Sequence, residues 1–148
     1  MEEKFLQQEE QKEEKYYQRR PHICGLFFYK KIRTTILKFS ESLKKNKDFQ
    51  VVYRKGKSYG NKYLVMYVLE NDFQRNRVGI SVSKKVGNSI VRHRLTRLIR
   101  ESYRLQEEHF QCGIDIVIIA RANAKEKTYR EIESALIHLG KLHNIYKV

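Results

Sequence analysis

The sequence predicts an α+β fold, a two-layer sandwich in which one small mixed sheet is covered by helices in the order α-β-β-β-α-β-α. Three observations predict it. Residues 63–69 (YLVMYVL), 78–83 (VGISVS) and 114–120 (IDIVIIA) are apolar runs of strand length, too short to cross a membrane. Segments with helical spacing of apolar residues precede, separate and follow these runs. A length of 148 residues with 41% hydrophobic residues suits one domain with its own core rather than two.

Residues 1–37 are expected to stand outside that domain. The first twenty are rich in Glu, Gln and Lys with few apolar side chains, the composition of a disordered segment. Pro21, the only proline, marks a break before a short apolar patch at residues 23–29 to which no chemistry attaches. The folded domain is expected over residues 38–148. Its first helix starts at Asn46 as N-cap, carries Phe49, Val52 and Tyr53 at i, i+3 and i+4, and stops at Gly56. A short strand at residues 57–59 is weakly signalled. The run at 63–69 has no polar face, so it is either covered on both sides or carries an aromatic working face. Residues 78–83 read as its antiparallel neighbour, with residues 70–77 as the hairpin loop between them. Asn88 or Ser89 caps a long helix reaching about Glu108. Gly113 then leads into the third run, and Thr128 caps a last helix carrying Ile132, Leu136, Leu139 and Leu142.

Charge is the strongest global signal. The chain holds 31 Lys and Arg against 17 Asp and Glu, a net charge of +14 with pI near 9.8 and mean hydropathy of -0.69. Residues 38–148 hold 23 of the basic and 11 of the acidic side chains, so the body rather than the tail carries the excess. Such a body binds a polyanion, and counterion release makes binding steeply salt-dependent. Between Arg75 and Arg104 there are nine Lys or Arg and one acid, Glu101. On a helical wheel Val91, Leu95, Leu98, Ile99 and Ser102 share one arc, and Arg92, His93, Arg97, Arg100 and Arg104 take the other. A solvated helix usually mixes both signs. Like charges such as Arg97 with Arg100 and Arg100 with Arg104 repel at i, i+3 and i, i+4, and an anionic partner offsets that cost.

Arginine suits phosphate because its planar fork donates two parallel hydrogen bonds. A membrane-surface helix would set Trp, Phe or Leu beside its charges, whereas here the apolar arc is needed for the core. Ahead of the helix, Lys84, Lys85 and Asn88 flank a glycine turn, which brings cations to free backbone N–H groups at a helix N-terminus. The loop lacks the GxxxxGK[ST] pattern, so nucleotide hydrolysis has no support. A helix-turn-helix reading needs a short helix before Ser89, where a strand is expected instead. Phe49, Tyr53, Tyr63 and Tyr67 form a second constellation, with Tyr63 and Tyr67 expected on one strand face. They are either core residues or a stacking cleft for single-stranded bases. Cys24 and Cys112 lie far apart without ligand spacing, and the five histidines show no HExxH, so neither a disulfide framework, nor a zinc site, nor a catalytic centre is expected. An N-terminus without a basic-then-apolar signal leads to a cytoplasmic expectation.

Residues 43–50 (LKKNKDFQ), 78–88 (VGISVSKKVGN), 92–94 (RHR), 97–101 (RLIRE) and 115–121 (DIVIIAR) together resemble the bacterial ribonuclease P protein subunit. The resemblance runs from about residue 39 to the end of the chain. It implies the accessory subunit of a ribozyme, in which a catalytic RNA with bound Mg2+ removes the 5′ leader of precursor tRNA and the protein holds no catalytic residue or metal. It further implies a left-handed β-α-β crossover and one protein per RNA. Lys84, Lys85, Asn88, Arg92, His93, Arg94, Arg97, Arg100 and Arg104 then fall on the surface for the catalytic RNA, and Phe49, Tyr53, Val65 and Tyr67 on the leader cleft. The chain departs from the family pattern in three ways: His93 replaces Asn in an Arg-Asn-Arg triplet, Thr96 replaces a basic residue, and residues 1–37 extend ahead of the Lys-Phe-Ser stretch at 38–40 where the family generally begins, which on the resemblance implies a misassigned start site. A structural RNA-binding protein, such as a ribosomal protein, is the competing class.

Overall fold

The structure, a computed structural model, describes residues 40–147; the expectations for residues 1–37 lie outside them. The element order is β1 (Ser40–Ser42), α1 (Asn46–Lys55), β2 (Lys57–Gly60), β3 (Leu64–Glu70), β4 (Asn76–Ser81), α2 (Ser89–Gln106), β5 (Ile114–Ala120) and α3 (Tyr129–Leu142). Single 3-10 turns follow α2 and β5. The α+β sandwich is as expected, with the weakly signalled β2 present and one further strand, β1, ahead of the first helix. The strands form one mixed sheet in the order β1-β4-β5-β3-β2.

The pairing differs from the hairpin expected between β3 and β4. β5 lies between them, antiparallel to β3 from Leu64↔Ala120 to Glu70↔Ile114 and parallel to β4 from Arg77↔Asp115 to Ser81↔Ile119. Apart from Asp115, β5 is apolar on both faces and buried along nearly its whole length, so the centre of the sheet is where it loses most water. The loop after β3 therefore crosses the start of β5: the Asn71 N–H donates to the Gly113 carbonyl at 2.8 Å, and the Phe73 N–H to the Asn71 side chain at 3.0 Å. Gly113 sits there at φ 80°, a conformation open to glycine.

One sheet face carries the main core. Leu64, Met66 and Val68 of β3 and Ile114, Ile116 and Ile118 of β5 pack against Leu95, Ile99 and Tyr103 of α2 and Ile132, Leu136 and Leu139 of α3. Leu142, expected on that apolar stripe, is exposed at the end of α3. Thr128 caps α3 in a reciprocal capping box with Glu131. On the other face α1 lies against the sheet through Val52, which is buried with Leu43 and Val117. Its N-cap is Lys45 rather than Asn46, with no side-chain cap; the Asp48 and Phe49 N–H groups donate instead to the Lys45 carbonyl.

Tyr63 and Tyr67 do not share a face. β3 begins only at Leu64, because the Asn61 side-chain carbonyl accepts from the N–H groups of both Tyr63 and Leu64 and folds residues 61–63 into a turn. Tyr63 consequently packs beside the main core, while Tyr67 faces α1.

Candidate nucleic-acid interface

The basic surface is built from the loop into α2. Val86, buried directly after the exposed Lys84 and Lys85, anchors that loop, and its N–H donates to the Ser83 carbonyl at 3.1 Å. Asn88 is the N-cap of α2: its Oδ1 accepts from the Val91 N–H at 3.0 Å, a contact worth about 1 kcal/mol. That leaves the Asn88 side-chain NH2 for an outside acceptor.

Along α2, Leu95, Ile99, Ser102 and Tyr103 are buried and the cations distribute around the remaining surface. His93, Arg94 and Arg97 are exposed. Arg100 is half-buried and lines a small depression with Ser42, Leu43, Val78, Ile80 and Tyr103, where β1 ends beside β4. Not all of the expected arc faces outward. Arg92 lies on its flank, half-buried, with a shielded Nε that has no hydrogen-bond partner among the described residues. Arg94 donates to the carbonyls of Lys125 at 3.3 Å and Lys127 at 2.9 Å, which ties α2 to the turn before α3. Arg104 is paired with Glu101 through two hydrogen bonds of 2.8 and 2.5 Å, and this guanidinium holds the Glu101 carboxyl below the usual carboxylate range. The repulsion expected between Arg100 and Arg104 is thus partly met within the helix. Lys84, Lys85, His93, Arg97 and Arg100 have no ion pair or side-chain hydrogen bond among the described residues.

The aromatic cleft occupies the opposite face of the sheet. Phe49 and Tyr53 of α1 meet Tyr67 of β3 in a chain of rings, with centroids 6.3 Å apart for the first pair and 5.1 Å for the second, which is edge-on at 75°. Such pairs contribute about 0.5–1.5 kcal/mol each beyond burial. All three rings are half-buried, as is Val65, which shares their sheet face opposite Ile119. They are therefore neither closed core nor free surface. Gly79 of β4 seats Phe49: a Cβ there would lie 2.6 Å from the ring, so any other residue would push the ring out of its place.

A charged cluster closes one end of this face. Arg77 of β4 donates from Nε to Asp115 Oδ1 at 2.8 Å and from Nη2 to Oδ2 at 2.5 Å, and its Nη1 lies 3.6 Å from Asp48 of α1. Asn71 also donates to Asp115, at 2.7 Å. Asp115 is buried, and its hydrogen bonds push the Arg77 guanidinium pKa up. Sequence reasoning passed over Gly79, Arg77 and Asp115. The signals were present in a glycine inside an apolar strand pattern and a lone carboxylate inside IDIVIIA. Among the described residues no three His, Cys, Asp or Glu side chains gather as metal ligands, and no helix is long and apolar enough to cross a membrane.

Comparison with known proteins decides which RNA-binding class this is. A family model described as Ribonuclease P matches residues 37–143. The chain belongs to the ribonuclease P protein family. It is 64% identical over 106 residues to the ribonuclease P protein component of Lachnoclostridium phytofermentans, covering 72% of this chain and 91% of that protein. The ribonuclease P protein component of Clostridium botulinum is 54% identical over 105 residues, with 70% and 95% covered. Among solved structures, the Staphylococcus aureus RNase P protein matches with TM-score 0.67 at 39% identity, covering 72% of this chain and 97% of that one. The Thermotoga maritima RNase P protein matches with TM-score 0.63 at 30% identity, with 67% and 94% covered. As a ribonuclease P protein the chain is the accessory subunit of a ribonucleoprotein endoribonuclease whose catalytic centre is RNA, which disfavours the ribosomal-type alternative.

Proposed function

We propose that this ribonuclease P subunit, with residues 38–148 as its domain, holds two RNAs on two surfaces. The catalytic RNA docks on Lys84, Lys85, Asn88 and the α2 residues Arg92, His93, Arg94, Arg97, Arg100 and Arg104. The single-stranded 5′ leader of precursor tRNA lies in the cleft of Phe49, Tyr53, Val65 and Tyr67. One protein binds one catalytic RNA in the cytoplasm, and the Mg2+ for hydrolysis is held mainly by that RNA.

The observation that carries this reading is the placement of the two surfaces on opposite layers of one sheet. α2 covers one face with its apolar side and turns cations outward, while α1 covers only part of the other face and leaves half-buried rings beside it. Cations without protein partners suit phosphates, whose neutralisation releases counterions. Rings held in place suit stacking of unpaired bases, worth about 1–3 kcal/mol per base. Arg100 at the β4 edge lies where the two layers meet, so one assembly can use both. His93 keeps the role of its triplet as a hydrogen-bonding contact. Thr96 does not replace a basic contact, since its hydroxyl donates back to the Arg92 carbonyl at 2.9 Å.

The test is cleavage of precursor tRNA by the cognate catalytic RNA at low Mg2+. Added protein is expected to stimulate cleavage and to favour substrates with long leaders. No stimulation, together with leader-independent binding, would refute the assignment.

A further inference from the structure

Tyr63 lies in a second aromatic and cationic site, beside the basic face of α2 and apart from the rings on α1. A groove of about 400 Å³ runs between the β2–β3 turn and α3, lined by Asn61, Lys62, Tyr63, Arg130, Ser134 and His138, with Ala135 and Glu131 also on its wall. That volume is in the range of small-ligand clefts, about 300–1,000 Å³. Its floor is fixed in advance. Asn61 donates to the Ala135 carbonyl at 2.9 Å while its own side-chain carbonyl holds the Tyr63 and Leu64 N–H groups, and Arg121 donates to the Asn61 carbonyl at 2.9 Å.

The charges around it favour an anion. Lys127 and Lys62 place their ammonium groups 5.2 and 5.9 Å from the Tyr63 ring centroid, and Arg130 and His138 stand exposed on the α3 side. The one carboxylate, Glu131, is already committed: it accepts from the Thr128 N–H at 2.9 Å and hydroxyl at 3.1 Å, and lies 3.3 Å from Lys127 Nζ. The groove also adjoins the basic face of α2, because Arg94 donates to the carbonyls of Lys125 and Lys127, and Lys127 lies against the Tyr63 ring. A polyanion on α2 can therefore follow cations around the turn before α3. An aromatic ring among cations takes unpaired bases better than a duplex backbone.

We propose that this groove is a further RNA-binding site, which takes a single-stranded segment of the same RNA that docks on α2, with a base on Tyr63 and phosphates on Lys62 and Arg130. The inference rests on the assignment of α2 to the catalytic RNA.

The experiment is binding of the full chain to the cognate catalytic RNA across a salt series. Lys62→Ala with Arg130→Ala is expected to reduce the salt slope by about 1.4, as for two phosphates of a single strand. Lys47→Ala with Lys147→Ala removes the same charge outside the groove and is expected to leave the slope unchanged. Tyr63→Leu, which keeps an apolar side chain against the core, is expected to weaken binding roughly five-fold or more, and Tyr63→Phe to restore it. Equal slopes for the two double variants, or equal affinities for the Leu and Phe variants, would overturn the groove as an RNA site. Loss of wild-type binding to the catalytic RNA would instead refute the assignment of α2 itself.

Discussion

In the cleft, Phe49, Tyr53 and Tyr67 are half-buried and held ring to ring over Gly79, whereas on α2 and its leading loop Lys84, Lys85, His93 and Arg97 are exposed and unpartnered among the described residues. On the proposed assignment the first surface, whose rings already hold one another in place, would draw its affinity from shape and stacking. The second is a set of long side chains with rotamer freedom and would draw its affinity from released counterions. The cleft should thus be nearly indifferent to salt and sensitive to small changes of packing. The basic face should behave in the opposite way.

The largest break is expected at the charged end of the cleft. Arg77→Met strands the buried Asp115 carboxylate with Asn71 as its remaining partner, and should cost about 3–5 kcal/mol in urea unfolding. Next comes Gly79→Ala, whose Cβ would collide with the Phe49 ring. It should weaken binding of long-leader precursor tRNA by about 1–3 kcal/mol, the value of one lost stacking contact, while affinity for leaderless tRNA stays unchanged. On the basic side, Asn88→Ala removes the α2 cap and should lower stability by about 1 kcal/mol in thermal melts. The smallest effect is a pH dependence. Burial holds the His143 pKa down, where its ring contacts the Met66 carbonyl and lies 4.7 Å from the Tyr59 ring. A histidine kept neutral in the fold takes up protons more readily once unfolded, so its contribution is present at neutral pH and lost as pH falls below about 6.5. His143→Gln should flatten that acid side of the stability profile.

Much of the basic face was legible in the sequence, because periodicity is local. The apolar stripe of α2, its Asn88 cap, β5 after Gly113 and the Thr128 cap of α3 all follow from residues within a few positions of one another. The cleft was legible only in its residue types. β1 is the three residues Ser-Glu-Ser, without apolar alternation, and exists because the edge of β4 offers it a parallel partner. The insertion of β5 between β3 and β4 depends on pairings 38 to 56 residues apart in sequence, which spacing does not report. Tyr63 was placed beside Tyr67 by strand period alone, and the Asn61 turn broke that period. The outward arc of α2 was also drawn too wide, since a wheel registers direction but not the neighbours that cover Arg92 or pair with Arg104.

The division of labour between the two surfaces is tested most directly by crossing two variants with two RNAs. Arg97→Ala with Arg100→Ala, and separately Phe49→Ala, are each titrated with the catalytic RNA and with long-leader precursor tRNA over a range of salt. The arginine pair should lose affinity for the catalytic RNA with a shallower salt slope, and Phe49→Ala should lose affinity only for the leader with its slope unchanged. Equal losses by both variants on both RNAs would contradict two separate surfaces.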